Sequence, residues 1–439
     1  MTDVVDELRL RELLESRLPR WTEWLQELVR VPSVFETEHG VVDLVVRYID
    51  ELGLRVERVA HDPDRLRRLV GVQPPISDVP GRASLGVRRT GVGGGRSLAL
   101  NAHLDVVPAG DPSAWTYPPF GGLIDPAARV IYGRGAMDDK AGVVLALAVL
   151  DCVRALHVEL AGDLLVHLVL EDETTGNGTL LCLDAGLLAD AALILDGTRA
   201  NRAIEQHAGN LKFGITVTGT AASVSVSHLG VNAAEMLARL VILLRDRVHA
   251  LNLDRSAPWT QFPSPYQLVV QHLSADSASL TVPDLATARC HVTFAPPHTL
   301  ADMRAMLETV AGDFGRDWQL PEAPRLEWDA LALEAVHGRP GELADALQLA
   351  AARTGLGPID IGPSTGTSDM RHYVSYGIPC LLYGPGNGFN PHRVDEHYFL
   401  DDLPRMVELY VRLVLGWCGG SAERGSLPSD NAAKVRTTI

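Results

Sequence analysis

Across residues 4–30 the apolar positions Leu8, Leu10, Leu13, Leu14, Leu18, Trp21, Trp24, Leu25 and Leu28 recur at helical spacing, and Pro32 follows as a stop. An amphipathic opening helix is predicted. A second helical stretch covers about 41–52, and Leu54-Arg55-Val56-Glu57-Arg58-Val59 alternates as a strand does. The Gly- and Pro-rich run that then reaches Gly95 reads as a surface loop.

Three short apolar strands follow, each running into side chains that bind protons or metals. Ser97 to Leu104 carries His103 and Asp105 at its end, Leu164 to Leu170 meets Glu171-Asp172-Glu173, and Ala191 to Leu195 meets Asp196. A fourth, Ile378 to Tyr383, precedes Gly384-Pro385-Gly386 and His392. With helical stretches between them, these strands predict a mainly parallel α/β sheet. Ligand groups in such sheets gather beyond the carboxyl ends of the strands, so a single site is expected.

Between about 208 and 330 the pattern changes. Leu211 to Val217 reads as a strand, Ala233 to Arg247 as a helix, 266–271 and 288–294 as strands, and Leu300 to Ala311 as a helix. The expected organisation is a discontinuous catalytic domain, 1–207 and 331–421, interrupted by an α+β lid at 208–330. A flexible tail is expected over 422–439, which is rich in polar residues and has no periodicity.

A length of 439 residues agrees with two domains, and 46% hydrophobic with 21% charged residues is a globular balance. A formal charge of −16 argues against a nucleic-acid partner. The most apolar stretch, Ala141 to Leu150, stops at Asp151, short of the roughly 20 residues of a membrane span. Met1-Thr2-Asp3 and the acids after it lack the basic and apolar regions of an export signal. Five scattered cysteines without a C-x-x-C pair suit reduced thiols in a cytoplasm.

His103, Asp138, Glu173, Asp196 and His392 are the candidate metal ligands. Zinc favours His nitrogen and carboxylate oxygen, and two-metal hydrolases hold their ions roughly 3.5–4 Å apart. A lone acid or histidine is more often a surface group. Here four of the five stand at or just beyond the ends of predicted strands, and Asp138 opens the helix of 139–150. Asp105, on the same strand face as His103, is expected to accept the other imidazole N–H and fix its tautomer. Glu396 is expected to support His392 from behind.

The segments Asn101-Ala102-His103-Leu104-Asp105-Val106-Val107-Pro108, Tyr132-Gly133-Arg134-Gly135-Ala136-Met137-Asp138-Asp139-Lys140, Glu171-Asp172-Glu173-Thr174-Thr175-Gly176-Asn177-Gly178 and Thr367-Ser368-Asp369-Met370-Arg371 resemble a known family. It is that of aminoacylase, acetylornithine deacetylase, succinyl-diaminopimelate desuccinylase and carboxypeptidase G. The resemblance runs from about residue 20 to 418. It implies one zinc held by His103 and Asp196, a second by Glu173 and His392, and Asp138 bridging them. Cobalt or manganese can occupy similar donors. It also implies a catalytic α/β domain interrupted by a lid that forms a homodimer contact.

The activity implied is hydrolysis of an amide in an N-acyl amino acid or short peptide with a free carboxylate. The paired metals would lower the pKa of a bridging water from about 15.7 toward about 7, and a carboxylate would take its proton. The family has Glu where this chain has Asp172, and His where it has Ser223, a residue thought to stabilise the carbonyl oxygen from the neighbouring subunit. His228 and His207 are the nearby substitutes for the latter. Arg371 is the expected carboxylate clamp. Asn232 and Gly386 are further candidate substrate contacts. Because the two departures touch catalysis while all five ligands survive, the rival reading is a diverged relative that binds such a ligand or forms an amide.

Overall fold

The structure is a computed structural model that describes residues 7–197, 199–388 and 390–419. The expected tail at 422–439 lies outside the described residues. At the centre, four parallel strands lie side by side in the order Leu164–Val169, Leu98–His103, Ala191–Ile194 and Cys380–Leu382. Every residue of the first three is buried, which is why they read as continuous apolar runs rather than alternating ones. Parallel strands end on one edge. His103, the Glu171 turn and Asp196 therefore emerge together.

The run to Gly95 is not simply a surface loop. Ala83–Arg89 forms a strand that pairs antiparallel with Val56–Ala60 on one side and Leu164–Val169 on the other. Its Ala-Ser-Leu-Gly-Val core is buried on both faces, so the alternation that marks a half-buried strand is absent. Two more additions, Arg202–His207 and Asp360–Ser364, pair in parallel at the far side of the sheet.

The helix Lys140–Ala155 starts directly after Asp139, two residues beyond Asp138, and is buried from Lys140 through Val153. It packs against the opening helix Glu7–Arg30, the C-terminal helix Asp402–Cys418 and the His103 strand. A fully buried Leu or Val contributes about 1.5–3 kcal/mol over an exposed one, so this helix anchors Asp138 firmly. All five cysteines are free and buried.

The lid is a second core. Its strands lie in the order Gln267–Ser274, Leu285–Phe294, Gly209–Thr218 and Arg325–Leu333, all antiparallel. Along Gly209–Thr218 buried and partly exposed residues alternate, so one face packs, against helices Ala233–Ala250 and Leu300–Asp317. The fourth strand adds to the expected elements and continues to Leu333, past residue 330. Among the described residues no helix is long and apolar enough to cross a membrane.

Candidate active site

His103 ends its strand with its ring pointing past the sheet edge. Its backbone N–H donates to Asp139 Oδ2 at 3.2 Å, and Nδ1 lies 2.9 Å from the backbone carbonyl of Asp105. A proton on Nδ1 serves that carbonyl and leaves Nε2 as the free donor atom. Nε2 faces Asp138 Oδ1 at 3.0 Å, Asp196 Oδ1 at 3.7 Å and Asp172 Oδ2 at 4.0 Å.

The role expected of the Asp105 carboxylate is corrected here. It lies 3.7 Å from His103 Nδ1, too far for a hydrogen bond. Instead its two oxygens accept the backbone N–H groups of Asp172 and Glu173, each at 3.2 Å. Asp105 thus fixes the tautomer through its main chain and the 172–173 turn through its side chain.

On the other side, His392 Nε2 lies 2.8 Å from Glu173 Oε2 and 3.3 Å from Asp138 Oδ2. Asp138 turns one oxygen to each histidine, the arrangement of a bridging carboxylate. Its position is set by Glu396, whose Oε1 accepts the N–H groups of Met137 and Asp138 at 3.1 Å and whose Oε2 accepts Arg134 Nη1 at 2.6 Å. His392 and Glu171 both hold left-handed backbone, φ 61° and 73°, a conformation rare outside glycine that recurs at functional sites. Glu171 is itself gripped by Arg82 Nη1 at 2.6 Å, His61 Nδ1 at 3.1 Å and Thr175 Oγ1 at 2.5 Å. No short motif announces that grip, because Arg82 and His61 are remote in sequence.

The donor set fits divalent cations. His103, Asp138 and Glu173 place one ligand atom each within 4.8 Å of one another, and so do His103, Asp172 and Asp196. Burial opposes protonation of His103, yet hydrogen bonds to Asp138 and Asp196 and the charge of Asp172 hold its pKa well above the usual range. Hydrogen bonds to Asp138 and Glu173 raise His392 to about 10. Burial and the neighbouring Asp138 lift Asp196 to about 6. Acids packed this closely in a poorly solvated site need positive charge among them. Divalent cations held by these donors would supply it.

The acids floor a cavity of about 520 Å³ whose walls include Arg199, Arg202, His207, Thr367 and, from the lid, Phe262. The other three candidate contacts lie elsewhere. Arg371 donates from Nη1 to the Ser368 carbonyl at 2.8 Å and from Nη2 to the Thr175 carbonyl at 2.6 Å, with its side chain 9% exposed. It ties two segments together behind the cavity rather than clamping a carboxylate within it. Asn232 caps the helix Ala233–Ala250, accepting from the N–H groups of Ala234 and Glu235. Gly386 is buried where a Cβ would stand 2.7 Å from Asp402 Oδ2, so it serves packing.

Residues 99–416 match peptidase family M20/M25/M40. The chain belongs to that family. It is accordingly a hydrolytic enzyme. It is 28% identical over 410 residues to succinyl-diaminopimelate desuccinylase of Rhodospirillum centenum, covering 91% of this chain and 97% of the relative. It is 24% identical over 418 residues to N-formyl-4-amino-5-aminomethyl-2-methylpyrimidine deformylase of Bacillus subtilis, covering 90% and 92%. Among solved structures, aminopeptidase PepT of Bacillus cereus superposes with TM-score 0.66 at 17% identity, covering 90% and 98%. A dinuclear metal-binding M20 peptidase of Bacillus subtilis gives TM-score 0.66 at 14% identity, covering 92% and 99%.

The two positions expected to depart from the family pattern, Asp172 and Ser223, occupy different places in this M20 chain. Asp172 lies on the cavity floor beside His103. Ser223 is exposed on the lid, its Oγ 2.9 Å from that of Ser225, and His228 is exposed nearby. His207, by contrast, lines the cavity, with Nδ1 2.9 Å from the Ala208 carbonyl and burial lowering its pKa to about 4.

Proposed function

We propose that this protein is a two-metal amidohydrolase that removes a short acyl group from the amine of a small, carboxylate-bearing substrate. The observation that carries the reading is the convergence of two imidazoles and their acids on Asp138, one carboxylate oxygen per histidine. His103 and Asp196 would hold one cation, Glu173 and His392 the other, and Asp138 both. Bound divalent ions, zinc by the donor chemistry and cobalt or manganese on the same donors, supply an acidified water and polarise the acyl carbonyl.

The chain's own contribution is Asp172. It takes a proton as water oxygen joins the acyl carbon, and returns it to the amine nitrogen as the C–N bond breaks. Arg199 and Arg202 give the cavity wall positive charge toward a substrate carboxylate, Arg202 while tied to Asp360 and the Pro363 carbonyl. The removal of succinyl and formyl groups in the names of two relatives supports short acyl groups. The test is release of free amine from N-succinyl, N-acetyl and N-formyl amino acids by metal-loaded protein. Release that stops on chelation and returns with metal is expected.

We further propose a homodimer through the lid. Its edge strand Gln267–Ser274 exposes Val269, Val270 and Leu273, and Leu280 and Leu229 nearby are 75% and 68% exposed. Open apolar edges are normally covered. Light scattering that finds twice the mass of 47.4 kDa supports this reading, and a monomer removes it.

A further inference from the structure

We propose that Arg82 is a positioning residue for the turn at 171–173, and that the buried bridge from Glu38 through Arg82 to Glu171 holds that turn so that Asp172 and Glu173 face the cavity. The proposal rests on the reading of Glu173 as a metal ligand.

Three separate parts of the chain build the bridge. Strands Val56–Ala60 and Ala83–Arg89 pair with Ala60 opposite Ala83, and one residue further on the N–H of His61 donates to the Arg82 carbonyl at 2.9 Å. This register delivers Arg82 and His61 side by side to the same oxygen of Glu171. Arg82 also donates from Nε at 3.1 Å and from Nη2 at 2.5 Å to the two oxygens of Glu38, and its Cζ stands 4.7 Å from the centre of the Phe35 ring. A guanidinium only donates, so both carboxylates accept. His61 Nε2 lies 2.8 Å from Ser84 Oγ, which accepts the N–H of Leu170 at 3.1 Å and so holds the residue before Glu171 as well. Glu38, Arg82 and Glu171 are at most 3% exposed.

The segment that carries Glu38 and Phe35 supports the other two loops of the site. It joins the helices Glu7–Arg30 and His39–Glu51. Ser33 Oγ donates to the Leu104 carbonyl at 2.7 Å, and the Ser33 carbonyl accepts the N–H of Val106 at 3.0 Å, so Asp105 is held on both sides. The Val31 carbonyl accepts Lys140 Nζ at 2.7 Å, two residues after Asp138. Residues 31–38 are therefore one base beneath three loops. Asp105 grips the 171–173 turn from one side and Arg82 grips it from the other.

Stability alone does not call for such a bridge. Burying three charges costs solvation that apolar residues of similar volume would not lose. What apolar residues lack is direction. Glu171 stands at φ 73° without being glycine, and backbone of that kind persists only where its surroundings over-determine it.

Arg82→Met removes the bridge. Arg82→Lys keeps the charge but replaces a rigid fork with one nitrogen, which cannot serve both carboxylates in the same geometry. Either change lowers Tm if the role is structural only, so the deciding readout is the affinity for each of two Co2+ ions, titrated calorimetrically well below Tm. Loss of the support behind a ligand costs about tenfold to a hundredfold in metal affinity. One of the two dissociation constants should rise by that factor and the other stay within about threefold of wild type. Crystals of the variants grown with one equivalent of Co2+ should fill the side of His103 and Asp196. If Arg82→Met does not fold, Arg82→Lys, which leaves no buried charge without a counter-charge, decides the matter. If wild type binds fewer than two ions, the two-metal reading fails, and crystal structures of metal-free wild type and Arg82→Lys still decide the positioning role, because the Asp172 and Glu173 carboxylates should move by about 1 Å in the variant. A turn that stays in place, unchanged constants, or an equal loss at both sites overturns it.

Discussion

Asp105 Oδ1 accepts the backbone N–H of Asp172 at 3.2 Å, so the strand that carries His103 also holds the turn that carries the proposed proton carrier. Its other oxygen does the same for Glu173. Burial lifts the Asp105 carboxyl to about 7, with His103 opposing and Glu173 reinforcing the shift. Asp105→Ala would leave two N–H groups without their acceptor. We expect kcat/KM to fall by about a hundredfold or more, with the metal on the Glu173 side bound more weakly. Wild-type metal content and rate in that variant would show that the turn holds itself.

Arg371→Ala separates a structural tie from a substrate clamp. Losing two hydrogen bonds from a nearly buried guanidinium should cost about 2 kcal/mol or more and lower Tm by several degrees. A clamp would instead raise KM and leave Tm unchanged. Thermal melts and Michaelis curves on the same preparation distinguish the two.

Without metal, the stability that His392 contributes should be lost as pH rises. His392 is raised to about 10 by Asp138 and Glu173, and burial lifts Asp196 to about 6. Each binds its proton more tightly folded than unfolded. The stability it contributes is present below the unfolded pKa and lost as pH climbs through the folded one. Asp138 is shifted the other way, held low by His103 and His392 against its burial, so its contribution is lost only in acid. Burial lowers Lys140 to about 7, which acts in the opposite sense over the same range. Between about pH 6.5 and pH 10 the Tm of chelated wild type should therefore fall relative to that of chelated His392→Gln protein, which keeps Lys140. A chelated His392→Gln protein whose Tm follows that of chelated wild type over this window contradicts the protonated-imidazole description.

Gly386→Ala should destabilise without touching the chemistry. The new Cβ would stand 2.7 Å from Asp402 Oδ2 and 2.8 Å from Asp402 Cβ, where Asn387 also donates to the same carboxylate. Overpacking of this kind costs about 1–3 kcal/mol. We expect a lower Tm with an unchanged KM; a raised KM at constant Tm would return Gly386 to the substrate site.

What was legible in the chain followed from one rule. Short, mainly apolar strands that end in His103, Glu171-Asp172-Glu173 and Asp196 read as interior and parallel, and parallel strands deliver their ends to one edge. The site was readable because its ligands sit on those ends. Strand Ala83–Arg89 escaped notice because burial on both faces erases alternation, and flanking Gly and Pro residues suggested a loop. Asp105 and Arg371 were seen as residues but not as partners. Whether a carboxylate meets an imidazole or a backbone N–H depends on how the turn at 171–173 curls, and residue type carries no record of that curl. Asp369 lay inside a quoted motif, yet only the fold brings it to the Thr179 hydroxyl.

The most direct test is amine release from N-succinyl, N-acetyl and N-formyl amino acids by wild-type protein, alongside its metal content and that of Asp138→Ala. Wild type should bind about two divalent ions per chain and release amine, and Asp138→Ala should lose both metal and activity together. Protein carrying two ions that releases no amine from any of these substrates, or full metal occupancy in Asp138→Ala, would contradict the account.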